Sequence, residues 1–137
     1  MPAEKNKQLI LDYFEVIEGK NTAMAIGDFF SDNVVWHLPQ TNAMFNTNPR
    51  RGRAAVLEVI GRGVDVYQPG SIRIALERVI ADAESVAAQF TLSAKLASGS
   101  DYSNHYCFVF AIRNGRIDGI WEYLDTLYQD RLAPVKS

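Results

Sequence analysis

The sequence predicts an α+β fold, one curved sheet with helices on one face. Two observations carry this. Apolar residues recur at helical spacing through the first half of the chain, and from Ile72 onward they alternate with polar or small ones at a period of two. Helices first and then a meander of antiparallel strands is an α+β order, not the βα alternation of a parallel sheet. At 137 residues, 47% hydrophobic and 22% charged, the chain reads as one globular domain over residues 1–137.

Lys5 to Glu18 places Leu9, Ile10, Tyr13, Phe14 and Ile17 on one helical face, with lysines and glutamates opposite. Gly19 ends that helix. Asn21 or Thr22 can cap a short second helix carrying Met24, Ile26, Phe29 and Phe30. Asp32-Asn33 then turns the chain into a strand, Val34-Val35-Trp36-His37-Leu38, which Pro39 stops because it has no N–H to give to a ladder. Gln40 to Arg53 is a long polar stretch whose apolar residues, Met44 and Phe45, mark it as a lid over a binding site. A third helix, Ala54 to Val66, carries Val56, Leu57, Ile60 and Val64. Strands follow around Ile72-Leu76, Val86-Leu96, Tyr102-Ile112 and Arg116-Asp125. The last two are joined by Asn114-Gly115, a strong hairpin signal.

Composition closes several functional classes. A net charge of −2 offers no basic face to nucleic acid. No apolar run approaches the ~18 residues of a membrane span. The opening MPAEKNKQ lacks the apolar core of a signal peptide, which predicts a cytoplasmic protein. The single cysteine, Cys107, excludes an internal disulfide and a zinc site built on several thiolates. His37 and His105 form no metal-ligand spacing, and Gly61-Arg62-Gly63 ends a helix instead of following a strand. Neither a metal nor a cofactor is expected.

Strict alternation on the last strand points Ile117, Trp121 and Tyr123 one way and Ile120, Glu122 and Leu124 the other. Both faces are then apolar, and three modest helices cover only one. A homodimer through the open sheet face is the expected cover.

Glu122 is the first candidate for chemistry. A carboxylate among apolar neighbours loses solvation, and its pKa rises toward the range of a neutral-pH acid or base. The competing reading is a structural carboxylate paired with Arg116 or Arg73. On the neighbouring strand Tyr102, Asn104, Tyr106, Phe108, Phe110 and Ile112 share a face, so Asn104 and Tyr106 set an amide and a phenol among aromatic rings. That mix suits a ligand pocket, with Trp36, Leu38, Phe108, Ile120 and Leu124 as its wall. His37 alternates away from Trp36 beside the long loop and reads as a structural histidine. Arg50, Arg51 and Arg53 read as a solvated loop.

The two leading helices, the Val-Val-Trp-His-Leu-Pro strand, Arg51-Gly52-Arg53 opening a helix, and the ending Asn114-Gly115-Arg116-Ile117…Glu122-Tyr123-Leu124-Asp125-Thr126 resemble the SnoaL-like branch of the nuclear-transport-factor-2-like superfamily. The resemblance covers about residues 4 to 130. It implies a cone-shaped, mixed or antiparallel sheet with about three helices on its concave side, a cystatin-like roll that is commonly dimeric. Its members include steroid isomerases, polyketide cyclases and limonene epoxide hydrolases. Glu122 falls where those hydrolases place a catalytic aspartate, while Gln89 and Thr91 stand where its arginine–aspartate partners would fall. Leu38 stands near the isomerases' base, Tyr106 near the cyclases' histidine and Ile120 near their aspartate. The resemblance implies a cofactor-free acid–base enzyme (isomerase, cyclase or lyase) on a small apolar or polyketide-like molecule, with Glu122, Tyr106 and Asn104 as its polar groups. The alternative is a non-catalytic small-molecule-binding or dimerisation domain.

Overall fold

The computed structural model describes residues 2–132. Helix α1 (Ala3–Ile17) is followed by strand β1 (Phe30–His37), the two-residue strand β2 (Arg50–Arg51) and helix α2 (Arg53–Val64). Strands β3 (Arg73–Ala81), β4 (Ser85–Lys95), β5 (Asp101–Arg113) and β6 (Arg116–Leu124) come next, and helix α3 (Thr126–Leu132) closes the order. The strands form one mixed sheet in the order β2-β1-β6-β5-β4-β3. β1 runs parallel to β6 and the other pairs are antiparallel. The sheet does not close, so it forms the wall of a cone with the helices inside its curve.

The expected helical count is met with different members. Met24 to Phe30 makes a single 3-10 turn, Ile26–Phe29, because Phe30 is drawn into β1 and pairs with Ile117. The third helix is α3, a seven-residue segment with no buried residue and hence no apolar period to announce it. Gly19 ends α1 as expected: at φ 78° it lets the Gly19 and Lys20 amides fold back onto Val16 and Glu15. Asn114 and Gly115 both take positive φ, 52° and 74°, the geometry that joins β5 to β6 tightly.

The core is aromatic. Tyr13 and Phe14 from α1 meet Phe29, Phe30, Phe90 and Phe110 edge to face, at centroid distances of 4.9 to 6.1 Å. Such pairs add about 0.5–1.5 kcal/mol each beyond their buried area. The α1 stripe read from sequence is thus the surface that seats the helix on the sheet. On β5 the even positions from Tyr102 to Ile112 are all buried, as the alternation requires.

One alternation fails. Ile117 does not share a face with Trp121 and Tyr123. Ala111 pairs with Gly119 but Ile112 pairs with Ile117, so Asp118 is an extra residue, a β-bulge, and Ile117 turns into the core with no exposed surface. The outer face is less apolar than strict alternation predicts. A second irregularity between Leu76 and Arg78 brings Val79 and Ala81 to the core side of β3.

Candidate active site

Between the helices and the concave sheet lies a cavity of about 200 Å³. A cavity of roughly 150 Å³ admits benzene, so this one has room for a ligand of one or two rings. Its floor is the apolar face of β4, β5 and β6; its mouth is bounded by the loop at Thr41–Phe45 and by Thr126, Gln129 and Asp130 of α3. No lysine, arginine or histidine is among the described lining residues.

Glu122 lines this cavity. Strand pairing sets it opposite Phe108, and Trp36 Nε1 donates a hydrogen bond of 3.1 Å to its Oε1. Loss of solvation pushes its carboxyl up from 4.5 to about 7, and the indole bond, which favours the charged form, holds it back only in part. No ion pair among the described residues involves Glu122. Arg73 instead spends its guanidinium on the carbonyls of Gly70 and Ile72.

Tyr106 also lines the cavity, within a cluster of tyrosines. Its hydroxyl is 2.7 Å from that of Tyr102, and the Tyr67 hydroxyl adjoins both. Burial pushes all three above the ordinary tyrosine value, so they remain protonated and able to donate. Asn104 is placed differently from the sequence expectation. It lies behind the cavity wall, where Nδ2 donates to the Tyr102 hydroxyl (2.9 Å) and the Asp125 carbonyl (3.0 Å), and Oδ1 accepts the His105 amide (2.8 Å). Both of its amide N–H groups are spent on these partners, and Asn104 is not among the cavity-lining residues. Asn104 positions Tyr102 instead.

Of the residues expected to bind a ligand, Trp36, Leu38, Phe108 and Leu124 line the cavity and Ile120 does not. Ile120 sits opposite Trp36 and Phe110 with no exposed surface, deeper in the core. Gln89 is exposed, and Thr91 bonds Glu77 and His105 across the outer face, so neither position reaches the cavity. His37 is also outside, its ring stacked on Trp121 at 4.7 Å. Burial and the nearby Arg51 lower its pKa. Sequence reasoning missed Tyr13 and Tyr67, both cavity-lining. Tyr13 sits in the apolar stripe of α1 and reads as core; Tyr67 follows α2 with no periodic signal around it.

The SnoaL-like domain family model matches residues 10–120. No curated protein matches the chain in sequence. Several solved structures share its fold at low identity. An NTF2-like protein of unknown function from Burkholderia pseudomallei K96243 is 18% identical, with 96% of this chain and 98% of that one covered and a TM-score of 0.77. TerC, co-crystallised with polyporic acid, is 20% identical, with 96% and 99% covered and a TM-score of 0.75. A candidate SnoaL-like polyketide cyclase from Jannaschia sp. CCS1 is 12% identical, with 98% and 95% covered and a TM-score of 0.77. The matched span takes in the second half of α1, the sheet up to the middle of β6 and most of the cavity wall, though it stops short of Glu122, and the chain belongs to the SnoaL-like domain family of the NTF2-like fold.

Proposed function

We propose that this chain is a cofactor-free acid–base enzyme (an isomerase, cyclase or lyase) acting on a small, neutral, polyketide-like carbonyl compound bound in the cone. The observation that carries this reading is Glu122, a carboxyl in an aromatic cavity with a pKa raised to about 7. Near neutral pH such a group is present in both forms, as a proton shuttle requires. Trp36 holds Oε1, so Oε2 takes the proton from a carbon next to the carbonyl and returns it elsewhere on the molecule. Negative charge develops on the carbonyl oxygen as the proton leaves. The Tyr106 hydroxyl donates to it, with Tyr102 donating to Tyr106 in turn. Asn104, donating to the Tyr102 oxygen, sets the direction of that chain. The absence of a cation from the described lining favours a neutral ligand over a carboxylate or phosphate. The reading includes a cytoplasmic homodimer joined through the open sheet face.

The test is proton exchange on 2-tetralone, a neutral bicyclic ketone, followed by NMR in D₂O. Wild-type protein should accelerate exchange at the carbon between ring and carbonyl. Glu122→Gln, which keeps shape but cannot titrate, should be slower by roughly 10²–10⁴-fold while binding the ketone equally. Wild-type exchange no faster than that of Glu122→Gln would leave a binding domain, not an enzyme.

A further inference from the structure

Glu122 borders two hollows. Besides the cavity it lines a depression on the outer side of the sheet, together with His37, Leu38, Pro39, Gln40 and Trp121. Leu38, Pro39, Thr41, Glu122, Leu124 and Thr126 bound both spaces. The cause lies in the backbone. The parallel ladder between β1 and β6 ends at His37 opposite Trp121. The next residue is diverted: the Leu38 amide donates to Asn48 Oδ1 (3.0 Å) and its carbonyl accepts from Asn48 Nδ2 (3.1 Å). Pro39 follows and has no N–H with which to resume pairing. Beyond this point β1 and β6 are no longer paired, and the residues that bound both hollows lie in two segments, Leu38–Thr41 and Glu122–Thr126.

We propose that the two hollows join through a slot between these segments, a second opening of the cavity through which the Glu122 carboxyl exchanges protons with solvent while a ligand fills the main chamber. The proposal rests on the reading of Glu122 as a proton carrier. A shuttle buried under its own ligand must otherwise wait for release before it can reset, and a separate port removes that wait. The titratable groups facing the port beside Glu122 are His37 at the end of β1 and Tyr123 on β6; Arg51 on β2 acts on the imidazole but does not line the port. Gln40, Thr41 and Asn48 on the loop side of the rim are exposed, so a partner lying across the sheet need not cover it.

The Trp36 indole N–H, bonded to Glu122, is a direct reporter. Its exchange with water is measured by ¹⁵N NMR on the full chain, with the Trp36 signal identified by comparison with Trp121→Phe. The cavity is filled with 2-naphthol, whose own fluorescence reports occupancy. The expected result is exchange slowed less than about threefold by filling the cavity, then at least about tenfold when the slot is also plugged by Gln40→Phe. His37→Tyr, which keeps a ring for Trp121, is a second plug if the first fails to fold. Exchange abolished by 2-naphthol alone, exchange in the filled protein unaffected by either plug, or exchange lost on dimerisation would each overturn the port. Failure of 2-naphthol to bind counts against the cavity reading and not the port. The cavity is then filled by Ile74→Phe with Leu92→Phe, two lining positions, and the same comparison applies.

Discussion

Glu122 binds its proton more tightly in the folded chain than in the unfolded one, and that difference sets a pH dependence. Between its ordinary 4.5 and the folded value of about 7, the native state holds more of the proton than the unfolded state. Stability therefore falls as pH rises through this window, is fully reduced above pH 7, and is unaffected below 4.5. At about 1.4 kcal/mol per unit, and allowing for the carboxyl's contact with the cavity, the loss is on the order of 2 kcal/mol. Glu122→Gln removes the titration. Urea unfolding at pH 5 and pH 8 should show wild type losing about 2 kcal/mol more than the variant; parallel changes would mean Glu122 is well solvated. This residue was legible in the sequence because its parity with Ile120 and Leu124 gives the face. Asn104 was legible only in part. Parity gives its face equally well, but not whether its amide is spent on a neighbouring hydroxyl before a ligand arrives.

The loop between β1 and β2 carries its own latch. Met44 and Phe45 mark it as a lid in sequence, and Phe45 is indeed buried over the cavity. Two guanidiniums grip its ring, Arg50 at 4.5 Å and Arg62 at 4.7 Å from the centroid. Glu58 pairs with both, at 3.1 and 3.9 Å. The sequence reads Arg50 as solvated because its charge partner, Glu58, comes from another element, α2, and no local pattern connects them. Phe45→Ala forfeits both the burial and the cation–π contacts, a loss of about 3–4 kcal/mol. Amides 40–48 should then exchange as fast as an open loop. Phe45→Leu restores most of the burial but not the grip, and should fall between wild type and alanine. An alanine variant with native protection would mean the Asn48 bonds to Leu38, not Phe45, hold the lid.

At the scale of the whole molecule, the outer sheet face is where the proposed dimer would form. Tyr123 (59% exposed) and Ile80 (61%) are open to solvent there, and Trp121 is stacked on His37. Trp121→Glu places a charge where a second copy would bury it without a partner, at a cost of several kcal/mol. Sedimentation at micromolar concentration should find wild type dimeric and this variant monomeric; a monomeric wild type would remove the dimer. The size of that face was overestimated from sequence, since a perfect period of two has no place for the bulge at Asp118. The bulge also makes β6 unequal toward gain and loss of length. Deleting Asp118 leaves Ile117 opposite Ile112 and Gly119 opposite Ala111 in an unbroken ladder, so Glu122 still faces inward. Inserting a residue there demands a second irregularity or turns the carboxyl out to solvent. Against β5, a one-codon deletion at this point keeps the facing of Glu122 and a one-codon insertion beside it reverses that facing, although neither touches a residue that lines the cavity.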